Sequence, residues 1–278
     1  MNPSNFAASL AVLLSLTACA QPPRPPSDLQ QLTAALRSRP VVLLGEVHDN
    51  AVQHALRAQA LHALLESGAR PALLMEQFDR EHQADLDRAL ARPGVTADAV
   101  IAAAAPGAAS MQGWSWPLYR PYIALAIEYR LPIVAANVSR ADTRRVLKDG
   151  LPSMGFDPAV PTDVEASQVR AIVDGHCGML DAAQAGRMVG AQVARDQFMA
   201  RAIEANAARG AVLLAGDGHV RRDVGVPRWL SAATRERSVS IGLLEPGDPS
   251  APAFDLALTT PAQARPDPCE AMRGPAKS

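Results

Sequence analysis

The stretch Leu43-Leu44-Gly45-Glu46-Val47-His48 joins a short apolar run to two polar side chains. The same arrangement recurs at Leu73-Leu74-Met75-Glu76, at Ile133-Val134-Ala135-Ala136-Asn137 and at Leu213-Leu214-Ala215-Gly216-Asp217-Gly218-His219. Buried parallel strands have such continuous hydrophobic patterns, and helical segments separate these runs. The sequence therefore predicts an α/β fold, with a mostly parallel β-sheet flanked by helices on both faces.

The polar residues that follow these runs are candidates for one functional site. Open α/β sheets bind ligands outside the carboxyl ends of their strands, so we expect the polar residues to share one crevice. His48 or His219 is a candidate general base, oriented by Glu46 or Glu76, and the same two imidazoles are candidate ligands of a divalent metal ion. The spacing does not choose between these two roles. The candidate catalytic set is Glu46, His48, Glu76, Asn137, Asp217 and His219.

Aromatic residues concentrate in one segment, which contains all three tyrosines of the chain. Pro121 is predicted to open a helix that runs to Tyr129, antiparallel to the strand at residues 133–136. Tyr119 and Tyr122 then approach the crevice, whereas Tyr129 falls toward the opposite edge of the sheet. Tyrosinate is a known axial ligand of haem iron, which makes Tyr119 and Tyr122 candidate cofactor ligands. Arg140 is a candidate for holding a carboxylate or propionate group.

The first residues of the chain are predicted to direct export. Residues 1–18 contain an apolar run too short to span a bilayer, and Leu16-Thr17-Ala18-Cys19 looks like a bacterial lipobox with Cys19 as the lipidated residue. The alternative is a plain secretory signal in which Cys19 is incidental. Ala20 resembles the sorting pattern of outer-membrane lipoproteins. Residues 19–26 are expected to form a proline-rich tether, and residues 27–278 a single α/β domain.

The composition limits the other expectations. The formal net charge of -1 supplies no field that would favour nucleic acid. If Cys19 is lipidated, only Cys177 and Cys269 remain, and an oxidising periplasm permits them to form a disulfide. Two reduced, buried thiols are the alternative, because the sequence does not show whether the two Cα atoms are within reach.

The ordered motifs together resemble a known family. The set resembles the ChaN family of iron-regulated, haem-binding lipoproteins, and also the wider superfamily of Tiki-type proteases and erythromycin esterases. The motifs that carry the resemblance are Leu43-Leu44-Gly45-Glu46-Val47-His48, Leu74-Met75-Glu76, Tyr119-Arg120-Pro121, Ala136-Asn137-Val138-Ser139-Arg140, His176-Cys177-Gly178-Met179 and Gly216-Asp217-Gly218-His219-Val220-Arg221.

The resemblance implies a function and an assembly. It implies haem bound at the interface of a homodimer, with a tyrosine on the iron and basic or imidazole groups of the other subunit at the propionates. It also implies an outer-membrane lipoprotein that serves haem or iron acquisition or storage. The polar centre maps onto the part of the superfamily where the relatives perform hydrolysis. A periplasmic esterase-like or metalloprotease-like hydrolase is therefore the alternative function.

Overall fold

A computed structural model describes residues 26–105, 113–267 and 269–270 of the chain. Its strands are β1 (Val41–Leu44), β2 (Ala72–Asp79), β3 (Ile133–Asn137), β4 (Ala211–Leu214), β5 (Ser238–Leu244) and β6 (Leu256–Thr259). They form a six-stranded sheet in the order β3-β2-β4-β1-β5-β6, and every neighbouring pair is parallel. The predicted α/β class with a parallel sheet is confirmed.

Helices connect these strands and cover the sheet. The α-helices of the described ranges are α1 (Asp28–Ser38), α2 (Ala51–Glu66), α3 (Gln83–Leu90), α4 (Ala97–Ala104), α5 (Trp116–Glu128), α6 (Arg140–Asp149), α7 (Thr162–Gly175), α8 (Ala182–Asn206), α9 (Asp217–Val220) and α10 (Ala232–Glu236). Side-chain caps fix where several of them begin. Asn50 accepts from the first amides of α2, and Asp181 forms a capping box with Gln184 at the start of α8.

Alternate residues of each strand face opposite layers of helices. In β1, Val42 and Leu44 pack with α1 to α5 in one core, whereas Val41 and Leu43 pack against α8 in another. A third cluster joins α6 to α8, with Val146 and Val193 among its buried members. The predicted cover of helices on both faces is therefore confirmed, and burial of both faces explains why the strands are apolar throughout.

Two predicted boundaries differ from the structure. Helix α5 begins at Trp116 with Pro117 in its first turn, so the prediction that Pro121 opens this helix was wrong. Pro117 takes the position where a missing donor costs little, while Pro121 lies in the second turn and leaves the Pro117 carbonyl without its usual donor. Strand β3 reaches Asn137, one residue beyond the predicted range 133–136. Residues 151–164 include a short 3-10 helix at Leu151–Met154 and the first turn of α7.

The structure joins Cys177 to Cys269 in a disulfide, with their Cα atoms 5.6 Å apart. The C-terminal segment is thereby linked to the turn between α7 and α8. The predicted signal peptide, residues 1–18, and Cys19 lie outside the described residues, as does nearly all of the predicted tether. Among the helices that the structure describes, none combines the length and the apolar character needed to cross a bilayer.

Candidate functional site

An open cleft of 580 Å³ lies at the carboxyl edge of β1 to β4. Its wall includes five of the residues expected from the sequence. The lining residues are His48, Glu76, Gln77, Asp79, Glu81, His82, Ala104, Ala105, Gly113, Trp114, Asn137, Val138, Ser139, Arg140, Ala141, Gln192, Arg195 and His219. Segments far apart in sequence thus meet at one rim of the sheet, as the strand-end pattern indicates.

Glu76 and Asn137 occupy the rim itself. Strand β2 continues to Asp79, so Glu76 lies within it, but the neighbouring β4 ends opposite Met75. Glu76 is consequently level with the ends of the adjacent strands. Asn137 is the last residue of β3, and its side-chain oxygen accepts from the amide of Val138. Both side chains reach the cleft from neighbouring strands.

Glu46 lies behind the cleft wall and orients His48. The carboxylate of Glu46 is buried, and its Oε1 atom lies 3.1 Å from His48 Nδ1. The Tyr119 hydroxyl donates to the same oxygen over 2.6 Å, and Arg57 forms an ion pair with the carboxylate from helix α2. The His48 side chain is 48% exposed, so this imidazole is the part of the network that a ligand can reach.

Gly216 makes room for the His48 ring. A Cβ atom at this position would lie 2.9 Å from His48 Cε1 and 3.0 Å from Nε2, closer than such atoms approach in proteins. On its other side, the edge of the Trp114 ring packs against the imidazole, with the ring centroids 4.9 Å apart. Gly216 therefore has a steric role in the site, because its lack of a side chain lets the residues that follow β1 and β4 pack closely together.

Tyr119 and Tyr122 do not line the cleft. Both side chains are fully buried, with the Tyr119 hydroxyl on Glu46 and the Tyr122 hydroxyl 3.2 Å from His54 Nδ1. Burial raises the pKa of each phenol, which disfavours the tyrosinate that would ligate iron. This placement argues against their expected role as direct haem ligands, and it gives Tyr119 a supporting contact to Glu46 instead. Tyr129, at the far end of α5, packs on the apolar core as expected.

His219 is held between two carboxylates. Its Nδ1 lies 2.5 Å from Asp196 Oδ1, and its Nε2 lies 3.5 Å from Glu76 Oε1. Burial disfavours the imidazolium, but the two carboxylates outweigh this and raise the pKa of His219 to about 10. Burial likewise opposes ionisation of Glu76, but His219 outweighs it and lowers the Glu76 pKa to about 2. At neutral pH His219 is therefore a cation, which cannot serve as a general base or as a metal ligand.

Asp217 does not reach the cleft. Its carboxylate points back toward Gly45, and Oδ1 accepts from the amide of Leu243 over 3.2 Å. Burial raises the Asp217 pKa to about 7. The expectation that this side chain joins the other strand-end groups was wrong, because the turn into α9 directs it between the ends of β1 and β5 instead.

The expected metal site finds no support. The described residues contain no group of three or more His, Cys, Asp or Glu side chains that could hold a metal ion. His48 and His219 line the same cleft, but both ring nitrogens of His219 already face carboxylates. Besides His219, the rim offers the imidazoles of His48 and His82, of which His48 is the more exposed, together with the cationic side chains of Arg140 and Arg195.

Arg140 and Arg195 place guanidinium groups on the cleft wall. Arg140 begins α6, immediately after β3, and was expected from the sequence. Arg195 lies on α8, one residue before Asp196, and the sequence analysis did not identify it as a site residue. Gln192, Arg195 and Asp196 recur at helical spacing within an Ala- and Val-rich helix, and this polar stripe is a sequence signal for a functional face. Guanidinium groups bind carboxylates well, because they donate paired hydrogen bonds.

Helix α2 contributes a buried polar stripe that sequence reasoning missed. His54 is only 3% exposed, and Arg57 is fully buried. Burial lowers the pKa of His54 to about 4, so its ring is neutral. Asn50, Gln53, His54 and Arg57 recur three and four residues apart, and this spacing could have identified the stripe. It supports the loop that carries Glu46 and His48.

Comparisons with known proteins identify the family. Residues 32–230 match the family model described as haem-binding uptake, Tiki superfamily, ChaN. Among solved structures, the fold is similar to ChaN of Campylobacter jejuni, described with cofacial haem, at a TM-score of 0.66 and 18% identity over 83% of this chain and 91% of that one. It is also similar to the type III effector HopBA1, at a TM-score of 0.50 and 14% identity over 86% of this chain and 97% of that one.

A weaker likeness concerns an erythromycin esterase in its open conformation, with a TM-score of 0.46 and 15% identity over 85% of this chain and 79% of that one. No curated protein sequence matches the chain. The family model covers well over half of the 278 residues and includes every cleft residue named above. The chain therefore belongs to the ChaN haem-binding uptake family of the Tiki superfamily.

Proposed function

We propose that this protein binds haem in the cleft at the carboxyl edge of its sheet. The observation that carries the proposal is the donor set of that cleft, in which His48 offers an accessible imidazole and Arg140 and Arg195 offer guanidinium groups. An iron porphyrin requires an axial ligand for its metal and cations for its two propionates. The cleft volume of 580 Å³ lies in the usual range for cofactor sites.

The roles of the residues follow from their surroundings. His48 is the residue that would hold the haem iron, because its ring is exposed and oriented by Glu46. Trp114, with Ala104, Ala105 and Val138, provides apolar surface for the flat macrocycle. Arg140 and Arg195 would hold the propionates, whereas the charge of His219 is already balanced by Asp196 and Glu76. Haem itself would supply an iron centre, and the protein supplies binding and orientation.

A hemin titration tests this proposal. Soret absorbance should shift and saturate when hemin is added to the purified protein at micromolar concentration. Arg140→Ala or Arg195→Ala should weaken binding roughly tenfold to a hundredfold, which corresponds to the loss of a charge-assisted hydrogen bond. Arg120→Ala is the matched control, because Arg120 pairs with Asp98 on the exposed surface outside the cleft wall. An unsaturable signal, or equal affinity in all four proteins, would contradict the assignment.

We also propose that two copies of the chain meet around haem. The C. jejuni relative is described with cofacial haem, an arrangement that brings two porphyrins face to face. The cleft here is accessible to solvent, and the proposed dimer would place it at the contact between the two copies. Light scattering during size-exclusion chromatography should give the mass of a dimer in the presence of hemin. A monomer mass at saturating hemin would contradict this assembly.

The cellular role proposed is haem or iron acquisition or storage by a lipoprotein of the bacterial outer membrane. The lipobox ending at Cys19 supports lipidation, and the family description includes uptake. Metabolic labelling with a radioactive fatty acid should mark the wild-type protein but not Cys19→Ala. Wild-type protein should also sediment with the outer membrane. A labelled Cys19→Ala protein, or wild type that is wholly soluble, would contradict the anchor.

Hydrolysis is the second function that a specific observation favours. Glu46 and His48 form a carboxylate–imidazole pair at an open cleft, which is the geometry of an oriented general base. His219 does not fit this role, because the neighbouring carboxylates raise its pKa to about 10. A panel of ester and peptide substrates, comparing wild type with His48→Ala, tests the alternative. Equal inactivity of the two proteins would remove it.

A further inference from the structure

A buried ion pair stands directly behind His48. Glu46 is 2% exposed and Arg57 is 0% exposed, and neither lines the cleft. Arg57 also donates to the Leu44 carbonyl at the end of β1 and stacks on the Tyr122 ring. Removing two charges from water costs several kcal/mol per ion in typical proteins, and an apolar pair of similar volume is often at least as stable. Fold stability alone therefore gives a poor reason for this pair.

The hydrogen bonds of the pair fix the proton on His48. A carboxylate paired with a guanidinium only accepts hydrogen bonds, and the Tyr119 hydroxyl already donates to Glu46 Oε1. His48 Nδ1, 3.1 Å from the same oxygen, must then be the donor. In the neutral ring the lone pair is consequently on Nε2, the nitrogen that passes over Gly216. Glu46 thus selects one tautomer of the imidazole.

We propose that Glu46, held in place by Arg57, is a positioning residue that fixes the tautomer of His48 and strengthens its electron donation to haem iron. The inference rests on the proposed function, because it concerns the same site. A carboxylate that accepts from the far nitrogen of a ligating histidine raises the basicity of that ligand. A hydrogen bond to the histidine that ligates the iron is one of the means by which proteins set the reduction potential of haem.

Two substitutions should move the reduction potential of the haem complex in opposite directions. Glu46→Gln removes the negative charge, weakens donation by His48 and raises the potential. Tyr119→Phe removes the competing donor on Glu46 Oε1, leaves more of that oxygen to His48 and lowers the potential. Tyr122→Phe is the matched control: its hydroxyl lies on the same helix and contacts His54, which faces Glu46 Oε2, so the substitution leaves both hydrogen bonds of Glu46 Oε1 in place. Its potential should equal that of wild type.

Spectroelectrochemistry of the four haem complexes gives these potentials. General loosening of the site would shift Glu46→Gln and Tyr119→Phe in the same direction, and that result would overturn the inference. Equal potentials in all four proteins would also overturn it. If Glu46→Gln does not fold, the comparison of Tyr119→Phe with Tyr122→Phe still decides, because neither of these leaves a charge unpaired.

A haem-free measurement separates this inference from the proposed function. Nitrogen-15 NMR of the imidazoles should show His48 protonated at Nδ1 in the wild-type protein and in Tyr122→Phe, with loss of that preference in Glu46→Gln. A His48 ring protonated at Nε2 would overturn the positioning role even if haem binds. Failure of hemin to bind would instead remove the proposed function and the effect on iron, while the NMR result would still decide how Glu46 acts on His48.

Discussion

His48 and His219 follow similar motifs and line the same cleft, yet their surroundings assign them different tasks. One carboxylate faces Nδ1 of His48, and none of the residues that the structure describes forms a hydrogen bond with Nε2. Two carboxylates face both nitrogens of His219 and keep it protonated. One imidazole can therefore offer a lone pair to a metal ion, while the other is a buried cation whose charge is balanced by its two carboxylates.

Adding one methyl group at Gly216 tests whether the position of the His48 ring matters for hemin binding. Gly216→Ala should weaken hemin binding at least roughly tenfold, because the added Cβ would meet the Cε1–Nε2 edge of the ring and displace it. The backbone of Gly216 has a φ of -62°, which alanine adopts readily. The stability of the protein should therefore change little in a urea titration.

Gly218→Ala is the control for this substitution. Gly218 lies two residues further on, in the first turn of α9, and a Cβ atom there would meet no atom within 4 Å. This variant should bind hemin like wild type. If the two alanine variants have the same affinity, the close approach of Gly216 to His48 does not matter for binding.

The protonation of His219 makes a prediction about alkaline stability. The folded-state pKa of about 10 lies above the usual imidazole value near 6.5, so the folded protein holds a proton that the unfolded chain releases. The stabilisation is complete below about pH 6.5 and is lost as the pH rises toward 10. The free energy of unfolding should fall by about 1.4 kcal/mol per pH unit between these values through this group.

Urea denaturation over a series of pH values checks this. His219→Gln should be less stable near neutral pH and should show a flatter decline toward alkaline pH. His62→Gln, a change at an exposed histidine on α2, should keep the wild-type slope. A wild-type decline that persists unchanged in His219→Gln would show that another group is responsible.

At the residue level the sequence predicts which types meet but not which way they point. The strand-end rule brings Glu46, His48, Glu76, Asn137 and His219 together, because it depends only on strand direction. Rotation of each side chain is decided by packing, and for that reason the sequence did not show that Tyr119 faces Glu46 or that Asp217 turns away. Arg57 was missed because arginine is seldom fully buried unless it is paired with an acid. The sequence pattern did not show that Glu46 is that partner.

Among the elements, β3 lies at an edge of the sheet and is protected by a side chain. Gln83, the first residue of α3, donates to the Ile133 carbonyl over 3.0 Å and accepts from the Ala135 amide over 2.7 Å. The amide side chain thus pairs with the strand as a neighbouring backbone would. Such protection matters, because unpaired edge groups promote association between chains.

Gln83→Ala should therefore lower the free energy of unfolding by about 1–3 kcal/mol, since two hydrogen bonds to β3 are lost. It should also increase aggregation during mild heating, measured by light scattering. Gln31→Ala is the control, because the Gln31 side chain on α1 donates a single hydrogen bond to the carbonyl of Pro26, which precedes the helix. Equal behaviour of the two variants would contradict the protective role of Gln83.

Element boundaries show what local signals achieve. Asn50 and Asp181 cap their helices in the structure, and both are residue types that favour the N-cap because a cap depends on a few adjacent residues. Strand β2 extends past its apolar run to Asp79, and α5 begins before Pro121. Both differences arise from tertiary contacts: β3 pairs with the extra length of β2, and the buried Trp116 packs beside Phe78 at the start of α5.

At the scale of the whole molecule, ion pairs and a disulfide link the C-terminal segment to the rest of the fold. Arg265 pairs with Asp49, directly after His48, and with Glu245 at the end of β5. A few residues further on, Cys269 is bonded to Cys177. Strand order and the ion pairs of Arg265 could not be predicted from the sequence, because they depend on pairing between segments, whereas the disulfide was one of the two states expected for Cys177 and Cys269.

Removing the disulfide should destabilise the protein. The bond closes a loop with a sequence separation of 92 residues, and loops of this size typically give about 2–5 kcal/mol through the lost entropy of the unfolded chain. The double variant Cys177→Ser with Cys269→Ser should unfold at lower urea concentration than wild type, with similar hemin affinity near room temperature. Stability equal to wild type would show that the link contributes little.

The most direct test of haem binding through His48 compares two histidines of the same cleft. His48→Ala and His82→Ala each remove an imidazole from its wall, and His82 pairs with Asp85 instead of Glu46. Electron paramagnetic resonance of the ferric complexes at saturating hemin reports the axial ligand. We predict that His48→Ala abolishes the nitrogen-ligand signature and that His82→Ala preserves it; an unchanged spectrum in His48→Ala would contradict the account.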